Sequence, residues 1–381
     1  MSIPFFPPDL FERDREVLLD LLHRIGTAAD QRFILGEYTA RFEHLLRTEL
    51  PAEDVITCAT GTSALTLTLR AMGVGPGDEV VVPAFGCAPL ASTVAELGAT
   101  PVFTDIRPHT MVIDPDLAEA AITPRTKVLM PAHLFSIMAD MPRFTDLGRR
   151  HGLRVLEDSA VAQGAALGGK QAGTWGDAGV FSFVQVKSFG MPGEGGAVVT
   201  GDAELARTVR MLRNHGQDGQ TRFLHHRIGY NSRFDEIQAA FQLHRFDGLA
   251  ARLERRARIA DYYTARFEPL VDAGIQPPPA GRDGRCFYVY TLLADRRDEL
   301  RAHLRARGIE THVYYPLPLP HQPAFARFAP PGRRWPRAES AAARILSLPV
   351  HPQLSDAQVE LIADAVHAFA PSRPLVRQEA R

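Results

Sequence analysis

From about residue 50 onward, short wholly apolar runs alternate with stretches in which apolar positions recur every three or four residues. The runs at 55–58, 79–83, 101–105, 127–131, 154–158, 178–183 and 197–200 read as buried strands, several bounded by Gly or Pro. The periodic stretches between them predict helices over 64–72, 89–97, 115–121 and 140–150. Strands that alternate with helices predict an α/β fold with a largely parallel sheet, in which ligands gather beyond the carboxyl ends of the strands. Upstream, residues 9–50 are helical in pattern until Pro51 interrupts. Downstream, a long Arg-rich amphipathic helix is expected over 234–259, most simply a solvated or subunit-facing surface, followed by a break at Pro277-Pro-Pro279. A strand at 286–293, a helix at 296–307, a Pro-rich loop at 315–336 and a helix at 355–369 then suggest a small α+β domain. The expected division is residues 1–260 for the large domain and 261–381 for the small one, with the last ten residues frayed.

Composition narrows the classes. An apolar fraction of 45% and a charged fraction of 23% suit an ordinary globular protein of 381 residues. A net charge of −1 leaves no basic footprint for nucleic acid or an anionic membrane. Cys58, Cys87 and Cys286 are far apart and form no CxxC pair, which argues against a disulfide framework or a thiolate metal site. The 14 histidines are scattered without HExxH, so no metal is expected. With no signal-peptide pattern at the start and no apolar run long enough for a bilayer, the expected setting is the cytoplasm.

Chemistry concentrates in the stretch Phe181-Ser-Phe-Val-Gln-Val-Lys187-Ser-Phe-Gly-Met-Pro-Gly-Glu-Gly-Gly196, a strand followed by a lysine and a glycine-rich turn. Of 43 basic residues only Lys127, Lys170 and Lys187 are lysine. Arginine cannot form an imine, whereas a desolvated lysine can, so Lys187 is the candidate for a Schiff base to a carbonyl cofactor. Such a cofactor needs an acid beside its ring nitrogen and a cradle for its phosphate. Asp158 ends an apolar strand and precedes Ser159-Ala160, small residues that let a ring approach; a helix N-cap is the equally good bland reading. Gly61-Thr62-Ser63 opens a helix and offers amides, hydroxyls and a positive dipole end, although a simple cap explains it alone. Ser182, five residues before Lys187, adds a hydroxyl to the same cradle.

Together these blocks resemble the DegT/DnrJ/EryC1/StrS aminotransferases, pyridoxal-phosphate (PLP) enzymes of fold type I, the aspartate aminotransferase-like class. The resemblance runs from about Phe33-Ile-Leu-Gly36 to Ala368. It includes Gly61-Thr-Ser-Ala-Leu65, Gly75-Pro-Gly-Asp-Glu-Val-Val-Val-Pro83, Glu157-Asp158, the Lys187 block, Arg213-Asn-His-Gly216, Gly229-Tyr-Asn-Ser-Arg233 and Leu346-Ser-Leu-Pro349. It implies Lys187 as the lysine that holds PLP and shuttles the proton, and Asp158 as the partner of the pyridine nitrogen. Thr62, Ser63 and Ser182 match phosphate-contacting positions. Asn231 matches an asparagine that reaches the phosphate from the other subunit, which implies a homodimer with shared active sites.

Two positions depart from the family pattern. Cys87 stands where an aromatic residue usually stacks on the ring, and Val161 where a glutamine usually lies near its phenolic oxygen, with Gln163 two residues on. The resemblance implies transfer of an amino group from L-glutamate or L-glutamine to a nucleotide-linked keto-sugar or similar cyclic ketone. Cys87 and Val161 keep open another PLP reaction, such as elimination, decarboxylation or C–C bond formation on an amino acid. A non-catalytic PLP-binding regulator is the third reading. Residues 315–336 and a helix at 225–233 are expected to help form the acceptor pocket.

Overall fold

The computed structural model describes residues 2–7 and 12–370. The last ten residues, expected to fray, and residues 9–11 of the stretch expected to be helical lie outside these.

A seven-stranded sheet organises the chain. Its strands are β1 (Asp54–Cys58), β2 (Glu79–Pro83), β3 (Thr100–Thr104), β4 (Thr126–Leu129), β5 (Arg154–Asp158), β8 (Ala178–Ser182) and β9 (Gly196–Thr200); β6 (Ala166–Leu167) and β7 (Lys170–Gln171) form a small hairpin. The order is β1-β9-β8-β5-β4-β2-β3. β3, β2, β4, β5 and β8 run parallel, while β9 is antiparallel to both β8 and β1. The crossovers are α3 (Gly61–Ala71), α4 (Pro89–Glu96), α5 (Pro115–Ala120) and α6 (Met141–His151), preceded by α1 (Arg15–Thr27) and α2 (Glu37–Glu49). The strands read as unbroken apolar runs because both faces are covered. Val80 and Val82 pack with Leu65, Leu156 and Val180 on one side, and Val81 packs with Leu129, Phe144 and Leu147 on the other. All three valines are fully buried, each a contribution of about 1.5–3 kcal/mol.

Helices α7 (Ala203–Arg213), α8 (Glu236–Phe246) and α9 (Leu249–Phe267) lead out of the sheet. A second sheet, β10 (Ile275–Gln276), β11 (Tyr290–Ala294) and β12 (Ile345–Leu348), is wholly antiparallel. Helices α10 (Arg297–Ala306), α11 (Pro336–Arg344) and α12 (Asp356–Phe369) complete the described residues. An apolar cluster of its own joins Tyr263, Phe267, Tyr290, Leu300, Leu346 and Ile362.

The described part of the 9–50 stretch is helical, as expected, in α1 and α2. Three expectations need correction. The helix expected over 234–259 breaks between Phe246 and Leu249, and its Arg256 is 8% exposed, buried rather than solvated. The strand expected at 286–293 begins only at Tyr290; ahead of it, Cys286 and Val289 donate to Ser136. Residues 225–233 form no helix. His226 N–H donates to the Gly216 carbonyl, and a Cβ on Gly216 would lie 1.8 Å from the Arg227 carbonyl oxygen, a backbone approach only glycine permits. The Pro-rich 315–336 stretch lies against the large sheet, where Leu319 N–H donates to Ala84 (2.7 Å) and the buried Trp335 indole to Phe103 (3.0 Å).

Candidate active site

Asp158 and Lys187 come from the carboxyl ends of neighbouring parallel strands. Asp158 closes β5 opposite Val180 of β8, and β8 runs on through Ser182 into the lysine loop. That loop is pinned at both ends by aromatic packing. Phe183 and Phe189 meet edge to face at 5.9 Å, and both pack against Phe42 of α2. Gly190 lets the loop fold on itself, since a Cβ there would lie 2.5 Å from the Gln185 carbonyl oxygen.

Lys187 is partly reachable from solvent, but its amine lies deep among protein atoms. Desolvation lowers its pKa, against the opposing influence of Cys87, Asp158 and Glu194. The Nζ stands 4.7 Å from the centroid of the Tyr288 ring. Burial raises the pKa of Asp158; the Ala160 N–H (3.1 Å), Lys187 and His133 pull it back only in part. Burial also pushes the Cys87 thiol up to about 12, so it stays neutral beside Asp158 and Lys187. Tyr315 belongs to the same group, its ionisation opposed by burial and by Cys87, Tyr288 and Asp158. Among the described residues neither Asp158 nor Lys187 has an ion-pair partner within bonding distance.

The helix end expected to cradle a phosphate lies beside Ser182, at the carboxyl end of β8. Thr60 caps α3 in a reciprocal box with Ser63: Thr60 Oγ1 accepts from Ser63 N–H (2.9 Å) and Ser63 Oγ from Thr60 N–H (3.1 Å). The N–H groups of Gly61 and Thr62 find no acceptor among the described residues, and the Thr62 side chain is exposed. Ser182 abuts this end of the helix so closely that a Cβ on Gly61 would lie 2.7 Å from the Ser182 Cβ. The Ser182 hydroxyl makes no hydrogen bond among the described residues. Ser63 faces the cap instead: its hydroxyl donates to the Thr60 carbonyl (3.0 Å) and accepts from Ser232 Oγ (2.8 Å).

The remaining candidates sit differently. Val161 lies half-buried in the turn after β5 and brings no polar atom to it. Gln163 does not stand in for it, because its amide nitrogen donates to the carbonyls of Ser182 (2.7 Å) and Ala160 (3.2 Å). Asn231 is exposed at the surface, its Oδ1 accepting from Arg233. Two residues absent from the sequence candidates also line the site, and a third braces the strand end beneath it. Tyr288 and Tyr315 come from more than a hundred residues downstream, and His133 accepts at Nδ1 from Ala139 N–H (3.1 Å) while its Nε2 meets Glu157 (3.1 Å). The aromatic density of 286–290 and the buried histidine in His133-Leu-Phe-Ser136 were the available signals.

A buried carboxylate and a buried amine thus share one space, neither paired, next to a helix end with open amides. That arrangement fits PLP: a cationic ring nitrogen answers the unpaired Asp158, an aldehyde the amine, and a phosphate the free amides. Residues 22–367 match the model of the DegT/DnrJ/EryC1/StrS aminotransferase family, and the chain belongs to that family. A UDP-N-acetyl-3-dehydro-alpha-D-glucosamine 3-aminotransferase of Acidithiobacillus ferrooxidans is 43% identical over 350 residues, covering 91% of this chain and 93% of that protein. A pleiotropic regulatory protein of Geobacillus stearothermophilus is 40% identical over 372 residues, 97% of this chain and 99% of that one. The crystal structure of S. venezuelae DesV in complex with a ketimine intermediate superposes with a TM-score of 0.92 at 39% identity, covering 97% and 98% of the two chains. The chain is a PLP-dependent aminotransferase of fold type I. This bears out the expected family, fold, cofactor and reaction kind, and the other PLP reactions give way to transamination.

Proposed function

We propose that this aminotransferase moves an amino group from L-glutamate or L-glutamine to the ketone of a nucleotide-linked sugar. The Acidithiobacillus relative's UDP-linked amino-sugar name supports the acceptor class. The observation that carries the reading is the desolvated Asp158 carboxyl and Lys187 amine, neither in an ion pair among the described residues, beyond the ends of adjacent strands.

PLP supplies an electron sink that lets the donor's α-carbon give up its proton. Lys187, its pKa lowered by desolvation, is the base that takes that proton and later returns it on the acceptor side. Asp158 keeps a positive charge at the ring nitrogen, and that charge offsets the desolvation that raises the carboxyl's own pKa. The amides of Gly61 and Thr62, with the hydroxyls of Thr62 and Ser182, hold the phosphate at the positive end of α3. Cys87 and Val161 line the ring more thinly than an aromatic and an amide would. Tyr288 and Tyr315 supply the aromatic wall. Asn231 acts in a second copy of the chain, which makes the working enzyme a homodimer with shared sites; its exposure, and that of Phe223 (71%) and Ile228 (82%) on the same segment, supports this. Residues 1–260 serve as the cofactor-holding domain and 261–381 as its cover, supported by the separate antiparallel sheet.

The test is an absorbance scan of the PLP-loaded protein before and after L-glutamate or L-glutamine, with Lys187→Ala alongside, followed by UDP- and dTDP-linked 3-keto-sugars. Collapse of the long-wavelength band, release of the keto acid and restoration of the band by a nucleotide-linked ketone are expected. A band discharged by the donor but restored only by unlinked ketones would overturn the acceptor class.

A further inference from the structure

The lysine loop also borders a cleft of about 440 Å³, lined by Gln185–Ser188, the first turns of α9, Pro7, Asp14 and Pro352-Gln353. Its chemistry is guanidinium. Arg252, Arg255 and Arg256 fall at i, i+3 and i+4 and so share one face of α9, and Arg13 lies across from them. The acids nearby are engaged. Asp14 pairs with His244 (3.1 Å) and Arg245 (3.0 Å), and Asp356 with Arg255 (2.7 Å).

Arg252 and Arg256 have no carboxylate partner among the described residues. Arg256 shares one nitrogen, Nη1, among the carbonyls of Tyr288 (3.1 Å), Phe287 (3.4 Å) and Val350 (3.5 Å). Arg252 is held by its Nη2 on the Arg245 carbonyl (2.6 Å) and lies over Gly248, where a Cβ would come within 2.6 Å of its Nη1. The Nε of each is buried and lacks an acceptor among the described residues. Burial draws both pKa values down to about 10, which still leaves two cations at neutral pH. Buried charge without a counter-ion is unfavourable, and carbonyl dipoles answer it only in part.

We propose that this cleft binds a diphosphate, with the fork of Arg252 and the Nη1 of Arg255, whose Nη2 is held by Asp356 and the Leu354 carbonyl, on its oxygens and Arg256 supplying fixed charge behind them. A rigid guanidinium fork matches phosphate oxygens in pairs, and two or three forks on one helix face suit two linked phosphates better than one carboxylate. The diphosphate is either that of the acceptor's nucleotide or a separate anion; only the first source rests on the acceptor proposed above.

The experiment is calorimetric titration of inorganic pyrophosphate into the PLP-loaded wild type, Arg252→Gln and Gly248→Ala, with folding of each checked by thermal melting. Arg252→Gln should weaken binding about 10-fold or more. Gly248→Ala, which displaces the guanidinium while keeping its charge, should weaken it by a smaller factor and carries the test if Arg252→Gln does not fold. Absence of binding to wild type, or equal binding by all three proteins, overturns the site. Kinetics then separate the sources. Pyrophosphate that competes with a nucleotide-linked acceptor, together with a KM raised by Arg252→Gln at unchanged kcat, assigns the diphosphate to the acceptor. Binding without competition assigns it to a separate anion. An enzyme that binds pyrophosphate through Arg252 yet aminates no nucleotide-linked ketone loses the acceptor class and keeps the cleft.

Discussion

Glu157 and Asp158 are consecutive residues on one strand, both carboxylates and both buried, and the structure treats them oppositely. Glu157 accepts from the N–H groups of Gly173 (2.9 Å), Trp175 and Gly176 (2.9 Å) and meets His133 at 3.1 Å. The tautomer of His133 follows from the same network: Nδ1 accepts from Ala139, so Nε2 carries the hydrogen that it gives to Glu157. Asp158 receives a single backbone N–H. A buried carboxylate with four donors is scaffold: it ties the 173–176 loop and the His133 turn to the end of β5. A buried carboxylate with one donor is a charge kept for something else. The two point to opposite faces of the strand, which is how one dipeptide holds the site in place and also provides it.

The largest expected effect comes from breaking the scaffold half. Glu157→Gln turns an NH₂ group onto donors that need acceptors, and should lower folding stability by about 3–5 kcal/mol. Chemical unfolding of the variant and wild type measures this. A change below about 1 kcal/mol would mean that the four donors find other partners.

Asp158→Asn should invert that result. Removing an uncompensated buried charge leaves the cofactor-free protein equally stable or more so, while the rate of transamination falls about 10²–10³-fold. The sign of the pH effect follows from the raised pKa of Asp158. In the folded, cofactor-free protein the carboxyl binds its proton more tightly than in the unfolded chain. Its destabilising effect is therefore complete above the folded-state pKa and gone below the ordinary value of 3.8. Melting temperatures of cofactor-free wild type and Asp158→Asn should differ most near neutrality and converge as the pH falls toward 4. A gap that widened on acidification would contradict the desolvated carboxyl.

This contrast was half legible in the sequence. A buried strand ending in Glu157-Asp158, followed by small residues, marked a special strand end, and the scarcity of lysine singled out Lys187. Which carboxylate was satisfied was not legible, because the donors to Glu157 come from loops 16 to 24 residues away whose positions depend on the packed sheet. Tyr288 and Tyr315 were hidden for the same reason, since chain order says nothing of which downstream loop folds back over a strand end. The break between α8 and α9 was masked by apolar periodicity that continues through Asp247-Gly248. The helix expected at 225–233 failed because close backbone contact at Gly216 and Gly229 holds that segment in an irregular path, and a periodicity argument does not register such contacts.

The cradle offers a finer version of the same comparison, between a residue that shapes the helix end and one that leaves it open. Gly61→Ala puts a methyl 2.7 Å from the Ser182 Cβ, so the strand end or the helix must shift. Overpacking of this kind should destabilise by about 1–3 kcal/mol. Because the shift occurs where the free amides lie, PLP affinity should fall with it, as followed by titration of the cofactor band. Loss of stability with unchanged affinity would remove Gly61 from the cradle.

Thr60→Ala is the mildest of these changes and the most discriminating. It deletes the acceptor for Ser63 N–H and one side of the capping box, and should lower stability by about 1 kcal/mol. The amides of Gly61 and Thr62 keep their direction, because α3 remains held along its length by Leu65, Leu67 and Leu69 in the core. Ser63, released from Thr60 Oγ1 but still joined to the Thr60 backbone and Ser232, should go on facing the cap. PLP affinity in Thr60→Ala should therefore fall less than about 3-fold, well short of a single lost charge-assisted hydrogen bond. A drop as large as that of Gly61→Ala would instead show that the cap, and with it Ser63, takes part in holding the phosphate.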